Sequence, residues 1–156
     1  MRRLLVWLGI ALGAFACVLA GVAITARIVG PIALFPGGAL SGDPAVEPAG
    51  PWGPLLEGVS VIQLEVDPED PYSVNTGYLL RSGVLFVRSP QAARKRWPER
   101  LLADPRVVLR IRGELYLRRA LRVTDPAEIA ALGRLVSGEQ ADPGDPSAWY
   151  FRIAER

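Results

Sequence analysis

The densest chemistry in the chain is Arg94-Lys95-Arg96-Trp97-Pro98, three cations and an indole within five residues. Guanidinium forks and an ammonium suit phosphate or carboxylate, and the adjacent indole suits stacking on a ring. The competing reading is a solvated basic face with Trp97 turned into the core, because aromatics usually pack first. This knot centres a longer basic stretch. Between Arg81 and Arg122, twelve basic residues meet only Glu99, Asp104 and Glu114, a local charge of +9. Another use of such a face is attraction to anionic lipid headgroups, worth about 1 kcal/mol per basic residue near a bilayer. Asn75-Thr76-Gly77 forms a second candidate patch. Polar residues and a glycine inside a strand pattern mark either the close approach of a ligand or a bulge.

The residue inventory removes most catalytic classes. The chain has no histidine, the commonest general base at neutral pH and the commonest transition-metal ligand, so histidine-based hydrolases and zincins are excluded. Its only cysteine, Cys17, lies inside an apolar run, which leaves no intrachain disulfide, thiolate metal cluster or exposed nucleophile. Tyr72, Tyr78, Tyr116 and Tyr150 offer phenols, and Ser73, Thr76 and Ser82 hydroxyls. A serine nucleophile would need Lys95 as its base, and the spacing does not pair them. The acids Glu65, Asp67, Glu69 and Asp70 sit in Asp-Pro turn chemistry without EF-hand spacing, so no metal site is expected. Arg110, Arg112, Arg118 and Arg122 alternate so as to line one face of a hairpin, and these same acids are the expected counter-charges. No catalytic constellation is complete, and the expected role is a binding or interaction module with an anion-attracting face.

Charge is unevenly distributed. The net charge is +2, yet beyond position 36 there are 15 basic and 16 acidic residues, and from Gly37 to Leu80 seven acids and no bases. Such a domain is not broadly basic, so nucleic acid is not an expected partner.

Arg2-Arg3 is followed by Leu4 to Ala26 without a charge. About 23 residues at a helical rise give roughly 34 Å, enough to cross a hydrocarbon core. Basic residues outnumber on the amino-terminal flank, with Arg27 alone on the other. The positive-inside rule then places the amino terminus in the cytoplasm and the domain outside, on the periplasmic side of a bacterial inner membrane. Two cleavage readings compete, a signal-peptidase site at Ile24-Thr25-Ala26 and a lipoprotein box at Ala14-Phe15-Ala16-Cys17. The run continues past Cys17, longer than a secretory core segment, which favours a retained anchor. The expected organisation is an anchor over 1–28, a Gly/Pro-rich linker over 29–56 and a domain over 57–156. The linker either lifts the domain off the membrane or packs onto it through Ile32, Leu34, Phe35 and Leu40, with Pro36-Gly37-Gly38 turning the chain.

Within the domain, Val59 to Val66 alternates as a half-buried strand. Ser73 to Leu80 and Val84 to Val87 form a hairpin about Ser82-Gly83. Pro98 is tolerated only in a first turn, so a short helix is expected from Pro98 to Ala103, with the basic knot on its entry loop. Val107 to Ile111 and Leu115 to Val123 make a second hairpin about Arg112-Gly113, with Val107, Leu109, Ile111, Leu115 and Leu117 on one face. Asp125-Pro126 starts a helix carrying Ile129, Leu132, Leu135 and Val136, Gly138 to Ser147 is a loop, and Trp149 to Ile153 is a closing strand. The order predicts an α+β, mainly β domain: a small six-stranded antiparallel barrel with two short helices.

Lys95-Arg96-Trp97-Pro98, then Leu101-Leu102-Ala103-Asp104-Pro105-Arg106-Val107, Gly113-Glu114-Leu115-Tyr116 and Ala120-Leu121-Arg122-Val123-Thr124-Asp125 together resemble the split β-barrel superfamily. That superfamily includes the pyridoxamine-phosphate-oxidase-like flavoproteins and the deazaflavin-dependent nitroreductase-like group. The resemblance covers about residues 59 to 153 and implies the split-barrel fold. It also implies FMN or a deazaflavin as cofactor, an oxidoreductase activity, and pairing as a homodimer. The resemblance points to Lys95 and Arg96, with Arg94, for the cofactor phosphate; Trp97, Asn75 and Thr76 join them as cofactor-binding candidates from the reading of the residues themselves. The first hairpin, Leu80-Arg81-Ser82-Gly83-Val84, departs from the Gly-Arg/Lys-x-Ser-Gly turn of the deazaflavin group.

Overall fold

Two-residue turns set the register of the sheet. Ser82 and Gly83 both have positive φ, at 51° and 78°, and Arg112 and Gly113 repeat this at 53° and 91°. Left-handed conformations at both central positions match the twist of the flanking strands and close tight hairpins. The computed structural model describes residues 2–45, 51–137 and 147–156. Most of the Gly138 to Ser147 loop reading therefore lies outside the described residues.

The elements run α1 (Arg2–Val29), β1 (Asp43–Pro44), α2 (Trp52–Leu56), β2 (Ile62–Val66), β3 (Tyr72–Thr76), β4 (Tyr78–Arg81), β5 (Val84–Ser89), α3 (Arg96–Ala103), β6 (Arg106–Ile111), β7 (Glu114–Arg122), α4 (Pro126–Ser137) and β8 (Trp149–Ala154). The sheet order is β3-β2-β6-β7-β8-β5-β4, antiparallel along that path, with β1 beside β7 in parallel. β3 and β4 stand at opposite ends of this order, yet only Gly77 separates them in sequence. The two edges of the sheet must therefore meet at Gly77, which curls the sheet into a barrel. Counted as one strand with a corner, β3–β4 leaves the six expected strands plus the two-residue β1. This is the small antiparallel barrel that the strand pattern predicts, in the split-barrel form that the resemblance implies.

The interior is apolar. Leu64, Val66, Leu85, Val87, Leu109 and Phe151 are fully enclosed, and Trp97 and Leu101 of α3 close one end. A second cluster of Phe86, Val123, Leu132, Ala148 and Tyr150 lies beneath α4. Asp125 caps α4, its carboxylate accepting the Ala127 N–H at 3.1 Å and its carbonyl the Ile129 N–H at 2.9 Å, as the Asp-Pro pair predicts. Leu132 of α4 is buried, whereas Leu135 and Val136 stay exposed.

One expectation fails at the second hairpin. The turn pairs Ile111 with Glu114, so Leu109 faces Tyr116 and Val107 faces Arg118. The inward face of β7 is thus Tyr116, Arg118 and Ala120, and Leu117 points outward, 47% exposed. A two-residue turn keeps directly paired residues on one face, and counting out from it gives this phase.

α1 holds the apolar run as one continuous helix, long and apolar enough to cross a membrane. Leu4 to Ala20 lie exposed along it. Its last turn is different, with Ala26 fully buried against the domain. From Gly30 the chain folds back as a strap over the outer face of β2 and β3. Gly37 and Ser73 pair as a two-residue bridge, and the Ser73 hydroxyl donates to the Gly38 carbonyl at 2.7 Å. The Asn75 amide donates to Pro31 O and Ala33 O, each at 3.2 Å. Leu40 is buried, its N–H donating at 2.5 Å to the enclosed Glu65 carboxylate. Of the four apolar residues expected to pack this segment, Leu40 is the one buried; Phe35 is half-buried, Ile32 exposed and Leu34 97% exposed.

Candidate functional site

The arginines of the basic stretch are sorted by the fold into those with partners and those without. Arg100, on α3, reaches Asp67 at 3.1 Å and Asp70 at 3.0 Å, and lies over the Tyr72 ring. Arg106 pairs with Asp104 at 2.5 Å and with Glu69 at 3.8 Å, and its hydrogen-bonded guanidinium holds the Asp104 carboxyl below the usual carboxylate range. Arg110 donates to Ser41 O at 2.8 Å, to Val29 O at the end of α1 at 3.4 Å, and to the Gln63 amide oxygen. Arg112 clamps the Leu55 and Glu57 carbonyls. Arg118 is buried among Trp52 and Tyr116, and Arg122 stacks 3.7 Å above Trp149.

Two expectations are corrected by this sorting. Arg110, Arg112, Arg118 and Arg122 do not share one face: Arg110 lies beside Leu115 on the outer face, Arg112 is in the turn, and Arg118 points inward. Nor do Glu65, Asp67, Glu69 and Asp70 neutralise them. The last three serve Arg100 and Arg106, while Glu65 turns to the strap. Among the described residues, carbonyls and aromatic faces stabilise the hairpin arginines. Burial pushes the Glu65 carboxyl above its ordinary value, opposed in part by the Leu40 N–H that it accepts.

Among the described residues nothing neutralises the knot. Arg94 ends a short 3₁₀ turn, Lys95 is the N-cap of α3, and Arg96 is its first residue. The helix therefore begins two residues earlier than expected, and no side chain caps it. Three cations gather where the helix dipole is already positive, an arrangement that an anion relieves. Arg94, Lys95 and Arg96 are exposed, and among the described residues no carboxylate lies within ion-pairing distance of them.

These three side chains open onto a cleft of about 490 Å³ between α3, β3 and the strap. Its fourth cation is Arg27, from the last turn of α1, and no acidic residue lines it. Tyr72 and Val74 of β3 contribute one wall, and the strap residues Leu34, Phe35 and Pro36 another. Of the candidates read from sequence, Arg94, Lys95, Arg96, Trp97 and Asn75 come together here, while the Thr76 hydroxyl donates to Gly77 O outside the cleft. Trp97 is only 5% exposed and packs on Phe151 with ring centroids 5.6 Å apart, so its ring belongs mainly to the core. Both N–H donors of Asn75 go to strap carbonyls, which makes that residue a brace for the cleft wall. Lys95 is the only lysine in the chain. Arg27 and the strap wall are the parts that sequence reasoning missed, since no local pattern links residue 27 to residue 94.

Among the described residues no group of three or more His, Cys, Asp or Glu side chains is placed to hold a metal ion. No protein-family model matches the chain, and no curated protein matches it. Solved structures do. A candidate pyridoxamine 5′-phosphate oxidase of Listeria innocua superposes with a TM-score of 0.54 at 19% identity, covering 65% of this chain and 87% of the other. A Clostridium acetobutylicum protein related to general stress protein 26 of B. subtilis, of the pyridoxinephosphate oxidase family, superposes with a TM-score of 0.51 at 14% identity, covering 67% and 80%. At these identities the likeness establishes the fold alone, a split β-barrel.

Proposed function

We propose that this chain is a membrane-tethered binding module that takes an anionic, phosphate-bearing ligand in the cleft between the strap and α3. One observation carries the reading: Arg27, Arg94, Lys95 and Arg96, from two distant parts of the sequence, converge on one cleft without an acid in its lining. Guanidinium groups suit phosphate oxygens through paired N–H donors, and Lys95 adds a point charge. The exposed apolar length of α1, which suits a bilayer core, supports the tethering. The single lysine makes the test direct. Acylation of Lys95 in the full chain, held in neutral detergent and followed by peptide mass spectrometry, should slow saturably as inorganic phosphate replaces chloride at constant ionic strength. An unchanged rate across phosphate and organic phosphate esters would sink the reading.

A second reading is a flavin-linked oxidoreductase, supported by the shared fold with a candidate pyridoxamine 5′-phosphate oxidase. The cleft's cations fit the phosphate of flavin mononucleotide. Its rings fit the isoalloxazine less well, because Trp97 is packed on Phe151 and the Tyr72 face is taken by Arg100 at 5.2 Å. Titration with flavin mononucleotide and a deazaflavin separates the two: saturable quenching of cofactor fluorescence supports the oxidoreductase, and its absence at high micromolar cofactor removes it.

A further inference from the structure

We propose that the ligand of this cleft is the phosphate headgroup of an anionic phospholipid, taken from the same bilayer that holds α1; it rests on the anion-binding reading above. The position of Arg27 is the first ground. It is the first charge after the uncharged run and stands in the last turn of α1, where a spanning helix leaves the hydrocarbon for the headgroup layer. Because Arg27 lines the cleft together with Arg94, Lys95 and Arg96, the whole cation cluster lies at headgroup depth.

The strap fixes that depth. Ala26 is buried against the domain, and Arg110 of β6 reaches the Val29 carbonyl at the helix end. A Cβ on Gly38 would stand 2.7 Å from Arg27 O, so the strap runs hard against the helix end. No free length of chain separates α1 from the barrel on this side, and the cleft cannot lift away from the surface.

Apolar side chains around the cations supply the third ground. Leu34, 97% exposed, and the half-buried Phe35 line the cleft beside the cations. A soluble phosphate would leave Leu34 in water. A phospholipid places its phosphate among the cations and its glycerol and acyl chains against these two residues, which covers apolar surface and desolvates the charge pairs together.

The experiment uses the full chain in nanodiscs, with Lys95 acylation and retained lipid, measured by native mass spectrometry after release into neutral detergent, as the two readouts. Discs of phosphatidylcholine alone are compared with discs containing phosphatidylglycerol, at a salt concentration that screens diffuse surface attraction. The expected result is slower Lys95 acylation and preferential retention of phosphatidylglycerol. In Arg94→Gln/Arg96→Gln, which keeps the reporter lysine, retention should weaken roughly 25-fold, at about fivefold per arginine. An Arg81→Gln/Arg119→Gln control removes the same charge from exposed positions outside the cleft and should retain lipid as the native chain does. Equal losses in both variants would overturn the proposal in favour of diffuse surface charge. Protection by inorganic phosphate or glycerol phosphate without any phosphatidylglycerol effect would overturn it too, while leaving the anion-binding reading intact. Absence of protection by every anion would overturn both.

Discussion

Gly37 and Ser73 exchange two main-chain hydrogen bonds, from Gly37 N to Ser73 O at 2.8 Å and from Ser73 N to Gly37 O at 3.1 Å. This bridge, together with the Ser73 hydroxyl on Gly38 O, fastens the strap to the edge strand β3. The fit admits no side chain: a Cβ at position 37 would stand 2.7 Å from the backbone of both Gly30 and Pro31. Gly37→Ala should therefore cost about 1–3 kcal/mol by forcing the strap outward. Urea unfolding of the detergent-solubilised chain measures the cost, and faster proteolysis within 30–45 reports the loosened segment. A variant as stable as the native chain would show that the strap is not held in this register.

Glu65 gives the strap a pH dependence of unusual sign. Its folded pKa is raised above the ordinary 4.5 because the carboxyl is enclosed. Between that value and the folded one, the folded chain thus binds more protons than the unfolded one. Stability contributed at this residue falls as pH rises through the window between the two values, the reverse of a salt-bridged acid. Glu65→Gln keeps an oxygen for the Leu40 N–H and removes the charge. Its unfolding midpoint should gain on that of the native chain as pH increases from 4.5 towards neutrality, and parallel curves would contradict the assignment.

Trp97 and its basic neighbours should separate cleanly by phenotype. Trp97→Ala removes a buried indole packed on Phe151 and should cost about 3–5 kcal/mol. Arg94→Ala, Lys95→Ala and Arg96→Ala, each exposed and without an acidic partner among the described residues, should stay within about 0.5 kcal/mol of native. Thermal unfolding measures both. A large loss of stability in the basic variants would assign the knot a structural duty.

Ser89 and Tyr150 are fully enclosed, and among the described residues their hydroxyls have no hydrogen-bond partner. A buried donor left unmade is a cost to the native state. Ser89→Ala and Tyr150→Phe should be neutral or stabilising by about 1 kcal/mol each. Destabilisation beyond that, measured by chemical unfolding, would imply a bound water in each position.

Much of the barrel was legible because its signals are local. Ser82-Gly83 and Arg112-Gly113 declare their turns by chemistry alone, and Asp125-Pro126 declares a helix start. Apolar character alone puts Leu117 inward, whereas the turn-fixed pairing turns it out and sends Arg118 inward between aromatic rings. In the sequence Gly77 stands as a glycine within a strand pattern. That it marks the meeting of the two sheet edges depends on the order of strands far away in sequence. The site divides in the same way. The cations of Arg94, Lys95 and Arg96 were visible as a run, whereas the contributions of Arg27, Leu34 and Phe35 arise only once the strap is folded back across β3.

Ala26 seats the last turn of α1 in the domain. A helix whose final turn is seated in its own domain is a handle, not a leash. On the proposed tethering, with α1 in a bilayer, the barrel would be confined to a layer and would explore it by sliding and spinning about the helix axis, with no reach along the normal. Encounters are then two-dimensional: a lipid arrives by lateral diffusion, whereas a soluble partner must descend to the surface to meet the cleft.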